Sequence, residues 1–163
     1  MPRRGRYSPS RVITPADAVA AAARGLEGTE AGRRAAAGGR AGAPQLVRRL
    51  DAPGRDYYLV SWHDARGVVA LIHVDGTSGE MVSRVVLPLA VTRLIPTPDD
   101  ARRSVTSQLR QEPTGAPELV WCPCQETGSP MQPLYRVPVA AGSVFVAVSG
   151  SVHHELTPLG QDG

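Results

Sequence analysis

"ITPADA" at residues 13–18 returns as "PTPDDA" at 96–101, and "GAPQLV" at 42–47 returns as "GAPELV" at 115–120. With Thr14 set against Thr97, the residues Pro15, Asp17, Ala18 and Leu26 fall on Pro98, Asp100, Ala101 and Leu109. Each stretch is a helix start with a mechanism. Threonine is the N-cap, and proline takes the first helical position, where its missing N–H costs nothing. Aspartate sits at N3, near the positive end of the helix dipole. Ala18, Ala22 and Leu26 then lie along one face, as do Ala101, Val105 and Leu109. Such helices, with small contact residues, are suited to lying closely on a sheet.

The matches continue downstream. "YYLVSW" (57–62) falls on "LYRVPV" (134–139), with Tyr58 on Tyr135 and Val60 on Val137. "GVVALIHV" (67–74) falls on "GSVFVAVS" (142–149), and "GEM" (79–81) on "HEL" (154–156). These runs are β-branched, short, and bounded by Gly, Asp and Ser turns, so they read as strands joined by hairpins. The offset shrinks by about ten residues before "GAPQLV", which makes "EAGRRAAAGGRAG" an insert in the first copy. The expected fold class is α+β: two tandem repeats, each a helix followed by about four antiparallel strands. The expected boundaries are a basic arm at 1–11, a first repeat at 12–87 with an insert at 28–43, and a connector at 88–95. A second repeat at 96–159 and a tail at 160–163 complete the chain.

A capped Ala-rich helix, then "YYLVSW", then "VVALIHVDGTSGEMV" resembles the PepSY family, whose repeats run helix, strand, strand and end in a V-D-x-x-T-G-E type turn. Here the turn is Val74-Asp75-Gly76-Thr77-Ser78-Gly79-Glu80, one residue longer than the commonest spacing. The resemblance covers residues 13–87 and, more weakly, 96–156. It implies a cystatin-like fold and a non-catalytic role in binding or inhibiting peptidases. Members are typically secreted or membrane-attached. The start of this chain reads as neither signal nor span, which counts against the inhibitor role.

Composition bounds the chemistry. The 163 residues contain one Phe, four Tyr, two Trp and no Lys, so alanine and valine must supply most of the core. The net charge of +3 hides an asymmetry. Residues 1–55 hold eleven Arg against four acids, and the remainder seven Arg against eleven acids. Basic arms attract nucleic acid or anionic surfaces. The first half, however, lacks the interleaved aromatics of a stacking platform, so nucleic acid is not the expected partner. No apolar run approaches the ~20 residues of a membrane span, and "CPC" is no disulfide framework. The chain reads as a cytoplasmic protein.

Positions shared by both copies are explained by fold, so function is sought at positions found in one copy only. The loop "VWCPCQETGSPMQP" (120–133) is one such feature, with Trp121, Ser129, Pro130, Met131 and nearby Tyr135 as a patch for anchoring a partner. Cys122 and Cys124, with His153 and His154 of "VHHE", have the ligand types of a tetrahedral zinc site. In a four-strand meander, though, the two pairs stand about 14 Å apart. The alternatives are a redox pair, or Cys122 packed as a small hydrophobe with Cys124 in a loop. "SWHD" (61–64) with His73 and Asp75 has triad residue types, but without a nucleophile elbow it reads as a polar strand face and a turn. Arg3, Arg4, Arg6, Arg33 and Arg34, in the arm and in a Gly- and Ala-flanked insert expected to be mobile, are candidates to clamp an anion.

No phosphate loop, HExxH or dinucleotide fingerprint occurs. The expectation is a non-enzymatic module without a cofactor. It takes a protein or peptide segment along a strand edge, with the 121–135 loop giving selectivity. The alternatives are a thiol or zinc protein built on Cys-Pro-Cys, and a nucleic-acid-associated factor built on the arginine arm.

Overall fold

The two threonine-proline stretches open two helices of the same design. The computed structural model describes residues 12–159. Helix α1 spans Pro15–Glu27 and helix α3 spans Pro98–Leu109, with α2 (Glu30–Ala37) between them in sequence. Thr14 Oγ1 accepts from Asp17 N at 3.1 Å while Asp17 Oδ2 accepts from Thr14 N at 3.1 Å. Thr97 and Asp100 repeat this capping box at 3.1 and 2.8 Å. A hydroxyl donor reinforces each junction: Tyr58 OH donates to Ile13 O at 3.2 Å and Tyr135 OH to Pro96 O at 3.0 Å. Both acceptors immediately precede the cap threonine.

Among the described residues, nine strands form one mixed sheet: β1 (Arg40–Ala41), β2 (Gln45–Arg49), β3 (Tyr57–Asp64), β4 (Gly67–Asp75), β5 (Met81–Val91), β6 (Glu118–Trp121), β7 (Leu134–Val139), β8 (Gly142–Val146) and β9 (Val152–His153). Their order is β5-β4-β3-β2-β6-β7-β8-β9, with β1 beside β3. All neighbours are antiparallel except β2 and β6, the strands of the two "GAP" motifs, which run parallel at the centre. Two antiparallel meanders thus meet at one parallel seam.

The two faces bury different helices. Side chains alternate along a strand, so Tyr58, Val60, Trp62, Ala70, Ile72 and Val74 pack under α1 with Ala18, Ala21, Ala22 and Leu26. The opposite face, Tyr57, Leu59, Leu71, Leu119, Trp121, Tyr135 and Val137, packs with Ala101 and Val105 of α3. A smaller cluster of Val120, Cys124, Leu134 and Ala147 closes the α1 side of the second meander. Alanine at 0% exposure in α1 lets the helix sit close enough for Leu26 to be fully covered, a burial worth about 1.5–3 kcal/mol.

Two expectations need correction. The insert 28–43 is not a mobile loop. Thr29 caps α2 by accepting from Gly32 N at 3.1 Å, and Arg40 and Ala41 pair with His63 and Trp62. Its Ala35, Ala36 and Ala41 pack on the α1 core, so apolar burial outweighs the glycine content. Residues 88–91 are not a connector but the end of β5, where Val91 still pairs with Val68.

The turn that carries the family resemblance is structural. Asp75 Oδ1 accepts from Thr77 N and Ser78 N at 2.8 and 2.7 Å, and Gly76 O accepts from Ile13 N at 2.7 Å. It fastens the start of α1 to the sheet.

Candidate functional site: a cleft at the parallel seam

The seam is interrupted. Gln45, Leu46 and Val47 pair with β3 on one side, and Glu118 and Leu119 with β7 on the other. Between β2 and β6, however, the register holds only at Arg48↔Val120 and Arg49↔Trp121. Leu50 N donates to Trp121 O at 2.9 Å just beyond. The C=O of Leu119 faces Arg48 N within the paired stretch, while the two-residue period turns the backbone N–H and C=O of Leu46 toward β6 and the N–H of Leu119 toward β2. Where those groups would meet, the strands have parted.

An open cleft of about 560 Å³ lies along this stretch, lined by Gln45, Leu46 and Arg48 of β2, by Ala116, Pro117, Glu118 and Leu119 at the start of β6, and by Pro98 and Tyr135. Gln45 and Pro98 carry it into a second groove of about 320 Å³ that includes Gly42, Ser61, His63, Leu71 and the segment 92–98. Prolines at 44 and 117 account for part of the splay, since proline has no N–H to give a ladder. Arg102 Nη2 donates to Gly115 O at 3.0 Å and Thr114 N to Pro138 O at 2.9 Å, which hold the approach to β6 away from β2.

The two sides of the cleft differ in chemistry. Leu119 and Tyr135 belong to the α3 face and are apolar, while Arg48, Glu118 and Arg136 alternate to the other side. There Glu118 bridges two guanidiniums, Oε1 to Arg48 Nε and Oε2 to Arg136 Nη2. Burial pushes the Tyr135 hydroxyl up to about 12, so it remains a donor to Pro96 at ordinary pH.

The expected partner patch is not an exposed surface. Trp121 and Tyr135 are 8% and 3% exposed, and Met131 packs against the same core, because the sparse aromatics of this chain are consumed by the interior. The Arg49 guanidinium lies 4.7 Å from the Trp121 ring centroid and is itself held by Asp51. The indole N–H groups of Trp62 and Trp121 are buried without a partner among the described residues. Ser129 Oγ accepts from Met131 N, and Pro130 O accepts from Tyr57 OH at 2.7 Å, so both belong to a loop tied to the sheet. Thr127, buried at its centre, donates to Gln132 O at 2.6 Å. Of the five residues, Tyr135 alone lines the cleft.

The cysteines sit the other way round from the packing expectation. Cys124 is buried in the small core and Cys122 is half-buried. Burial pushes both thiols up, Cys124 to about 11 with the neighbouring Cys122 adding to the effect, so neither is a thiolate at neutral pH. Beside them, Glu126 is raised by burial but held at about 2 overall by its hydrogen bonds from Thr157, whose N–H reaches its oxygens at 3.0 and 3.1 Å. His153, on β9 and three strands away from β6, pairs with Phe145 of β8, and His154 follows in the turn. Among the described residues no group of three or more His, Cys, Asp or Glu is placed to hold a metal.

Arg33 and Arg34 are engaged locally, with the Glu27 carbonyl at 3.0 Å and with Glu30. Arg3, Arg4 and Arg6 lie outside the described residues. Ser61 Oγ and His63 Nε2 are 2.8 Å apart along the groove wall, while Asp64 is occupied by Arg66. His73 is buried and stacked on Tyr57 at 4.2 Å between ring centroids. Among known proteins, no family model, no curated protein and no solved structure matches the chain. No described helix is long and apolar enough to cross a membrane.

Setting aside shared positions set aside the two "GAP" motifs, yet these line the cleft, and the one site inside them that differs is Gln45 against Glu118.

Proposed function

We propose that this chain is a non-catalytic protein-interaction module that captures an extended protein segment by strand addition. The observation that carries the reading is the interrupted seam, where two strand edges already aligned in one sheet face a cleft without pairing. An entering strand offers alternating N–H and C=O groups, which is what such edges lack. The outer edge is a poorer template. β5 is broken along its length by two register shifts, a feature that blunts strand addition. Within this reading the 121–135 loop acts indirectly, by fixing β6 and β7, with Tyr135 on the cleft floor.

Two finer parts belong to the same proposal. The chain is built as two copies of one helix-and-four-strand unit, supported by the matched capping boxes, the matched tyrosine bonds and the parallel pairing of the two "GAP" strands. The first copy is PepSY-like, supported by the Asp75 turn and its place behind a capped helix.

Calorimetric titration with a capped hexapeptide alternating threonine and valine tests the function. The expected result is binding that disappears when alternate backbone nitrogens of the peptide are methylated. Equal binding by the methylated peptide would remove strand addition, and failure of both to bind would remove the reading.

A further inference from the structure

Resting on strand capture at the seam, we propose that the captured segment is acidic on one side, and that Glu118 is a built-in competitor for its carboxylates. An extended segment presents alternate side chains to opposite faces. On the α3 side of the cleft those side chains meet Leu119, Tyr135 and Pro98. On the other side they meet Arg48 and Glu118, whose single carboxylate is shared between Arg48 and, one strand further on, Arg136 of β7. Arg48 and Arg136 are 58% and 39% exposed in their side chains, so both are open to a ligand from solvent.

One carboxylate on two guanidiniums leaves a positive charge and unused fork donors. A segment alternating acidic and apolar residues satisfies both sides at once. Its carboxylates take over the forks of Arg48 and Arg136, and Glu118 turns out to solvent. The matching position of the first motif, Gln45, is neutral and shares the α3 face with Val47, so the competitor stands on one strand only. Strand edges alternate donors and acceptors, whereas a nucleic-acid backbone offers phosphate acceptors alone, so a peptide fits the slot and a nucleic acid does not.

The test uses the full chain and three capped hexapeptides, alternating valine with glutamate, threonine or lysine, titrated into wild type, Glu118→Gln and Arg136→Gln. The glutamate peptide is expected to bind roughly tenfold tighter than the threonine peptide, in keeping with charge-assisted bonds at a partly exposed site. Glu118→Gln, an isosteric change, should tighten the glutamate peptide by roughly three- to tenfold and shift the threonine peptide by less. Arg136→Gln should remove the preference, as should 1 M salt. Equal affinities for glutamate and threonine peptides, with no effect of Glu118→Gln, would overturn the acidic partner and leave strand capture standing. No binding by any of the three would overturn strand capture itself. Binding of a dodecamer of deoxythymidine that displaces the glutamate peptide would overturn the peptide occupant in favour of nucleic acid.

Discussion

Tyr58 and Tyr135 each donate to the carbonyl just ahead of a helix cap, and so tie a helix start to the strand beneath it. Replacing Tyr135 with Phe leaves Pro96 O without this donor and is expected to lower the unfolding free energy by about 0.5–1.5 kcal/mol in urea titrations. Tyr58→Phe should cost a similar amount. His73 gives a second prediction at this scale. Burial, foremost, lowers its pKa, with Arg49 adding to the effect and Asp75 opposing it. The unfolded chain therefore takes up a proton near pH 6.5 that the folded chain resists. Stability is full above about pH 6.5 and falls as the pH drops below it. Stability measured from pH 7.5 to 5 should show this decline in wild type and a shallower one in His73→Phe. At this scale the sequence was legible where a residue acts on its neighbours. Thr14, Asp17, Thr97 and Asp100 read as caps because capping spans only three residues. Trp121 and Tyr135 did not read as buried, because their burial depends on α3, far away in sequence.

Helix α2 shows why element assignment failed where composition was low in apolar character. "EAGRRAAAGGR" lacks a strong apolar stripe, yet Thr29 caps it and its alanines fill space beside Trp62. Gly32 enters the angle between α1 and α2, where an added Cβ would stand 2.0 Å from Leu26 O. Gly32→Ala should therefore cost about 1–3 kcal/mol, as overpacking does, despite the better helix propensity of alanine. An unchanged melting temperature for that variant would mean the two helices are free to part. Beyond this one variant, replacing residues 29–41 with a short glycine linker should destabilise the fold, since Ala35, Ala36 and Ala41 leave the core with it. The strands themselves were legible because β-branched runs bounded by Gly, Asp and Ser turns are a local signal. The extension of β5 through Pro88 was not, because proline in the sequence reads as a strand's end, while an edge position tolerates it.

Across the whole molecule, two meanders with their helices on opposite faces join along β2 and β6, and the join is short. The α+β class followed from the repeated helix starts. Parallel pairing of the repeated motifs did not, because it is a contact between residues some seventy positions apart with no local signature. The functional reading depends on that join being open at Leu46 and Leu119. Amide hydrogen exchange, followed by NMR in the free protein and with the threonine-valine peptide, addresses this most directly. The account predicts that the amides of Leu46 and Leu119 exchange faster than those of Arg48 and Leu50 in the free protein. They should slow by at least about tenfold when the peptide is added. Protection already equal to that of Leu50 without peptide, or exchange unchanged with the peptide bound, would contradict it.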